Sequence, residues 1–202
     1  HNRQAFRGVR EPGETRRPLR IFAIGDSFTY GLGVRDEDTF EALLERSEDV
    51  EVINAGVNGF GVDQALLMWE QHGRALRPQV VVLTYYVDDF YRNGLAVREG
   101  PKPRFVLDPV SGQHRLLTPE QALRQALDSR PSSGLRLRLV EVARMAGDKV
   151  RNRLGWVDED RLRPLARTSR YLMARLQRSV GEAGGRLVVL YVGHVKDGGP
   201  EH

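Results

Sequence analysis

The stretch Leu19-Arg20-Ile21-Phe22-Ala23-Ile24-Gly25-Asp26-Ser27 decides the fold. Its apolar run is short and ends at a turn, which is typical of a strand buried in a parallel sheet. Residues 50–53, 80–87 and 187–192 repeat this pattern. Helical patterns separate the first three runs, so we predict parallel strands joined by right-handed crossovers.

The first crossover helix has a recognisable start. Asp38 and Glu41 resemble a capping box, and Phe40, Leu43 and Leu44 recur at helical spacing. We therefore expect Asp38 to cap this helix and the three apolar side chains to form its buried face.

Residues 91–135 interrupt the alternation of strands and helices and are predicted to form an insertion after the third strand. Within it, residues 104–107 and 114–117 flank a turn-rich segment and predict a hairpin. Thr118-Pro119 then predicts a helix start. Further helices are predicted over residues 63–76, 135–153 and 161–183.

The domain organisation follows from these elements. Residues 1–18 are polar and predict an extended lead-in, and residues 19–202 predict one α/β domain with three layers, α/β/α.

Composition excludes several classes of protein. The chain has 31 basic and 27 acidic residues and no cysteine, so disulfides, thiolate metal sites and cysteine nucleophiles are excluded. Acidic residues alternate with the arginines and no aromatic–basic stripe occurs, which argues against a nucleic-acid partner. No apolar run approaches the roughly 18 residues of a membrane span.

Polar residues follow three of the predicted strands, where open parallel sheets bind ligands. Ser27 lies directly after the first strand, at a helix start. A serine in such a turn exposes its hydroxyl as a nucleophile, and nearby N–H groups can stabilise an oxyanion. The alternative reading is a serine that only caps the helix.

Two motifs carry a family resemblance. Ile24-Gly25-Asp26-Ser27-Phe28-Thr29-Tyr30-Gly31 resembles the first block of the SGNH (GDSL-type) hydrolases, and Val52-Ile53-Asn54-Ala55-Gly56-Val57-Asn58-Gly59 resembles the second. The resemblance implies a flavodoxin-like parallel sheet with Ser27 as nucleophile, supported by Asp26 and Asn58. It also implies an oxyanion-hole role for Gly59, with Gly56 as the alternative.

The third block departs from the family pattern. The family has Gly-x-Asn-Asp, and its asparagine donates to the oxyanion, whereas Asp88 occupies that position here and Tyr86 the glycine position. An ionised carboxylate cannot donate a hydrogen bond. The alternatives are a protonated Asp88, donation by Asn58 or Asn93, weak catalysis, or an Asp88 that merely caps a turn.

The general base is unknown from the sequence. The family places Asp-x-x-His near the C-terminus, and this motif is absent. A base must reach the nucleophile, and none of the histidines has the expected spacing to an aspartate. They are His1, His72, His114, His194 and His202. We therefore expect the given sequence to lack the last strand and helix of the domain.

No cofactor or metal is assigned. The acidic runs at residues 36–38 and 158–160 are more typical of helix starts than of metal sites. The turn over residues 54–61 lacks a phosphate-binding motif.

These observations predict a serine esterase that hydrolyses or transfers an O-acyl group. Bacterial members of the family often act on carbohydrate or lipid esters outside the cytoplasm, so the resemblance implies a small-molecule or glycan ester as partner and an extracytoplasmic location. The alternative is a catalytically impaired SGNH-fold module that binds glycan or lipid. Neither the oligomeric state nor the acceptor follows from the sequence.

Overall fold

A computed structural model describes residues 1–8, 10–14, 17–129 and 159–193. Within these ranges the strands are β1 (Leu19–Ile24), β2 (Val50–Asn54), β3 (Val80–Tyr86), β4 (Arg104–Leu107), β5 (His114–Leu117) and β6 (Arg186–Val192). The α-helices are α1 (Ser27–Tyr30), α2 (Phe40–Ser47), α3 (Val62–Met68), α4 (Val87–Arg92), α5 (Pro119–Asp128) and α6 (Glu159–Glu182).

Four strands form a parallel sheet in the order β2-β1-β3-β6. Ala23 is in register with Asn54 of β2, and Ile24 with Leu83 of β3, so β1 and β2 end within one residue of each other and β3 continues further, to Tyr86. Helices flank the sheet, which confirms the predicted α/β class. The helix predicted over residues 135–153 lies outside the described residues.

The core forms around β1 because its side chains are buried along the strand. Phe22 and Ile24 are fully buried, and Trp69, Leu172 and Leu176 belong to the same cluster. The indole Nε1 of Trp69 donates to the Ser179 hydroxyl of α6 at 2.9 Å, which satisfies the buried N–H. The helix predicted over residues 63–76 continues beyond α3 as a π-helical turn, Trp69–Gly73, and a 3₁₀ turn, Arg74–Leu76.

The lead-in does not run past the domain as an extended polar segment. Phe6 is buried and meets Phe22 edge to face at 5.6 Å between ring centroids. The Arg7 guanidinium donates to the carbonyls of Tyr30, Gly31 and Val34 and pairs with Asp36. One aromatic residue thus fixes this segment to the core, and one arginine fixes it to the loop after α1.

The expected cap and buried face of α2 are wrong. Thr39, not Asp38, caps the helix, because its hydroxyl accepts from the Ala42 N–H at 3.3 Å. The Phe40 and Leu43 side chains are 37% and 50% exposed, whereas Glu41 is only 3% exposed. The helix therefore turns this carboxylate inward and two of the three apolar side chains outward.

The insertion has the predicted hairpin and helix start. β4 and β5 pair antiparallel, and Thr118 caps α5 through a reciprocal pair of hydrogen bonds with Gln121.

The last described strand, β6, follows α6 as predicted. Its residues Val188, Val189 and Leu190 are each more than 40% exposed, so it is not the buried strand we expected. Within the described ranges, no helix is long and apolar enough to cross a bilayer.

We predict that Glu41→Gln stabilises the protein at alkaline pH. Neither carboxylate oxygen of Glu41 has a hydrogen-bond partner within the described structure, and burial raises the pKa of this carboxyl from 4.5 to about 7. The folded state therefore binds the proton more tightly than the unfolded state, and the free energy of unfolding falls as pH rises from about 4.5 to about 7. Glutamine does not titrate, so the variant should gain on the order of 3 kcal/mol at pH 8.

Urea unfolding of both proteins at pH 5 and pH 8 measures this difference. Glu37→Gln, which removes an exposed carboxylate of the preceding turn, controls for the loss of one negative charge. An equal effect of Glu41→Gln at the two pH values would contradict the prediction.

Candidate functional site

The three polar segments singled out from the sequence lie at one edge of the sheet. They follow β1, β2 and β3, which are adjacent and parallel, so their carboxyl ends lie at the same edge of the sheet. This edge is where open α/β sheets bind ligands. The Val57 N–H donates to the Gly25 carbonyl at 3.1 Å and joins the first two segments directly.

Ser27 is the first residue of α1 and is partly exposed. Asp26 caps this helix, since its Oδ1 accepts from the Phe28 N–H at 2.9 Å, so the residue before Ser27, and not Ser27 itself, is the cap. Neither the Ser27 hydroxyl nor its backbone N–H has a hydrogen-bond partner within the described structure. Both groups are therefore available to a ligand.

The turn after β2 separates the roles of its two candidate glycines. The Gly56 N–H donates to the Asn54 Oδ1 at 3.0 Å, and a Cβ at Gly56 would lie 2.7 Å from the Thr29 carbonyl carbon. Gly56 therefore permits close packing against α1, but its N–H is already occupied. Gly59 has φ +79°, and its N–H has no acceptor within the described residues. Of the two glycines, Gly59 has the free donor.

The segment after β3 carries two neighbouring carboxylates that differ in burial. Asp88 is exposed on the first turn of α4. Asp89 is buried, and its Oδ2 accepts from the Tyr86 N–H at 3.0 Å, so the capping role falls to Asp89.

The two alternative amide donors also differ in availability. Asn93 is buried; its Nδ2 donates to the Ser169 hydroxyl at 3.0 Å, and its Oδ1 accepts from the Asp63 N–H. Asn58 is exposed on the same turn as Gly59, and its amide has no partner within the described residues. Asn58 is therefore the amide that remains available at this edge.

A buried ion cluster, which the sequence analysis did not identify, joins the three segments. The Arg92 Nη1 lies 2.7 Å from the Asp26 Oδ2 and 2.8 Å from the Asp89 Oδ1, and it donates to the Phe60 carbonyl at 3.2 Å. Burial, together with the nearby Asp26 carboxylate, raises the pKa of Asp89 to about 7 despite the opposing effect of Arg92. Arg92 is thus the cation that compensates two buried carboxyl groups.

A second buried pair lies behind this cluster. The Lys102 Nζ is 2.6 Å from the Asp63 Oδ2 and also donates to the Arg92 carbonyl at 2.9 Å. Burial raises the pKa of Asp63 and lowers that of Lys102, and each partner opposes the effect on the other. Lys102 thereby ties the insertion to α3 and to the end of α4.

The described histidines do not complete a catalytic pair with Ser27. His1 stacks on Tyr30, and His72 is exposed and meets Phe6 edge to face. His114 stacks on Tyr171 of α6 at 4.1 Å, and burial lowers its pKa. The other candidates, His194 and His202, lie outside the described residues, and the general base stays unassigned.

The acidic run at residues 36–38 forms a 3₁₀ turn whose carboxylates pair with arginines: Asp36 with Arg7, and Glu37 and Asp38 with Arg35. Across the described ranges, no group of three or more histidine or carboxylate side chains could hold a metal ion.

No protein-family model matches the chain, and no curated protein sequence matches it. A solved structure described as a lipolytic protein of the G-D-S-L family, from Desulfitobacterium hafniense DCB-2, is 27% identical over 33% of this chain and 38% of that protein, with a TM-score of 0.32. TesA is 24% identical over 37% of this chain and 44% of its own, with a TM-score of 0.34. A catalytic mutant of Axe2, an acetylxylan esterase from Geobacillus stearothermophilus, is 18% identical over 85% of this chain and 76% of that protein, with a TM-score of 0.33.

The matched part spans about two-fifths of the length of the first two of these proteins. The description of the first of these structures names the GDSL-type family that the sequence motifs also resemble.

We predict that Lys102→Met destabilises the protein by about 3–5 kcal/mol, because it leaves the buried Asp63 carboxylate without its cation. Adding Asp63→Asn should recover a large part of this loss, since the second substitution removes the uncompensated charge. Urea unfolding of the two single variants and the double variant measures the coupling. Strictly additive effects would contradict the inferred pairing.

Proposed function

We propose that this chain is a serine ester hydrolase of the SGNH type that acts on an O-acyl ester. The observation that carries the proposal is the placement of two unoccupied backbone donors, the N–H groups of Ser27 and Gly59, on adjacent turns of the edge where the Ser27 hydroxyl is also unpartnered. The motif resemblance and the similarity to solved GDSL-type esterases support the same reaction class.

In the proposed reaction the Ser27 Oγ attacks the carbonyl carbon of the ester. The carbonyl oxygen becomes an oxyanion that accepts hydrogen bonds from the Ser27 and Gly59 N–H groups. Collapse of the tetrahedral intermediate releases the alcohol and leaves an acyl-serine. Water then gives hydrolysis, whereas a sugar hydroxyl gives O-acyl transfer. The substrates that we propose are carbohydrate or lipid esters, at an extracytoplasmic location.

Asp88 motivates a second candidate, a binding module for glycan or lipid. It places an exposed carboxylate where the family pattern has an amide donor, and an ionised carboxylate repels a developing oxyanion. This candidate predicts ligand affinity without turnover of short p-nitrophenyl esters.

We predict that a fluorophosphonate probe labels Ser27 in the full-length protein and that Ser27→Ala abolishes both labelling and ester hydrolysis, because the phosphonate reports an activated serine. Mass spectrometry of the labelled peptide identifies the modified residue. Ser129→Ala, which removes an exposed hydroxyl at the end of α5, is the matched control and should be labelled at the wild-type rate. Labelling that survives Ser27→Ala would overturn the assignment.

We further predict that Asp88→Asn raises kcat by about 10-fold or more, because one lost oxyanion donor costs about 2.7–4 kcal/mol in other acyl-transfer enzymes. Asp128→Asn removes an exposed carboxylate from α5 and should leave kcat unchanged. Initial rates on p-nitrophenyl acetate measure the effect. An unchanged kcat in Asp88→Asn would show that another group already donates.

A further inference from the structure

The Arg92 guanidinium contacts all three polar segments of the candidate site. Its Nη1 donates to Asp26 after β1, to the Phe60 carbonyl after β2 and to Asp89, which precedes it on the same helix, α4. The Arg92 side chain is 11% exposed and the two carboxylates still less, so these bonds are shielded from water. Charge-assisted bonds in such surroundings are stronger and more directional than at the surface.

Asp26 connects Arg92 to the turn that carries Ser27. One oxygen of its carboxylate accepts from the Phe28 N–H, and the other contacts the Arg92 Nη1. The carboxylate plane is therefore fixed from both sides, and it fixes the backbone immediately before and after Ser27.

The bond to the Phe60 carbonyl does the same for the second loop. Phe60 directly follows Gly59, whose N–H is the second proposed oxyanion donor. The backbone of Arg92 is also fixed, because its carbonyl accepts a hydrogen bond from Lys102, which pairs with Asp63. Both the guanidinium and the backbone carbonyl of Arg92 are therefore held by hydrogen bonds.

We propose that Arg92 is the positioning residue of this site, and that it holds the Ser27 turn and the Gly59 loop at the mutual distance that the attack on an ester requires. The consequence for catalysis rests on the proposed hydrolase function. The consequence for the two loops does not depend on that function.

The test compares wild type, Arg92→Met and Arg92→Lys in the full-length protein. Methionine keeps much of the side-chain volume but removes the donors, so the rate constant of fluorophosphonate labelling should fall about 10- to 100-fold. The final labelled fraction of folded protein should stay at the wild-type value. Lysine keeps the charge but carries its ammonium on a shorter side chain, so it should restore these contacts only in part and give an intermediate rate. A purely structural role would lower the labelled fraction and leave the rate constant unchanged, which would overturn the proposal.

Arg175→Met is the matched control. Arg175 forms a two-bond ion pair with Glu70, at 2.8 and 2.9 Å, that joins α6 to the turn Trp69–Gly73. Its loss removes an arginine–carboxylate ion pair from another part of the protein without touching the three polar segments. The labelling rate of this variant should equal that of the wild type.

Hydrogen–deuterium exchange provides a readout that needs no activity. In Arg92→Met, peptides covering residues 25–31 and 56–61 should exchange faster than in the wild type, while a peptide from α5 should not change. If the wild type is not labelled by the probe, the hydrolase function fails and exchange alone decides the positioning role. Unchanged exchange in both loops overturns that role. If Arg92→Met does not fold, the rates and exchange of Arg92→Lys decide in the same way.

Discussion

The parallel pairing of β1 with β2 on one side and β3 on the other is the constraint on which the rest of the structure depends. The register sets Ala23 beside Asn54 and Ile24 beside Leu83, so the carboxyl ends of the three strands lie at one edge of the sheet. A slip by one residue would turn Phe22 and Ile24 to the opposite face of the sheet, and the core would lose its centre. The burial of β1 therefore fixes not only the core but also the point at which the polar turns meet.

Bringing these turns together also brings buried charges together. Asp26 enters after β1 and Asp89 after β3, and the two strands are adjacent, so two carboxyl groups lie close to one another in a site of low exposure. Burial disfavours the charged form of such groups, so a nearby cation is needed to offset the cost of burying them. Arg92 supplies that cation from α4. The cluster is a consequence of the sheet topology, because the topology imposes the proximity of the two carboxyl groups.

The sequence predicts the features whose causes are local. A short apolar run ending in a turn predicts β1, and Thr118-Pro119 predicts the start of α5. It fails where the cause is tertiary: Phe6 lies in a polar segment but is buried in the core, where it meets Phe22 edge to face. The candidate site divides in the same way. Ser27 and Gly59 follow from strand-end motifs, whereas Arg92 meets Asp26 across 66 residues, and nothing local distinguishes it from the other 27 arginines.

The replacement of an amide by Asp88 changes how the proposed hydrolase distributes its oxyanion stabilisation. A side-chain amide on α4 would add a donor whose position depends on that helix, but the donors of the proposed reaction, at Ser27 and Gly59, are backbone N–H groups. Backbone donors do not titrate, and their direction is set wholly by the turns that carry them. Since hydrogen bonds weaken steeply when they are misaligned, a site that relies on backbone donors depends more strongly on the geometry of its turns. The more the oxyanion relies on these two groups, the more the reaction depends on Arg92, which bonds both turns at once.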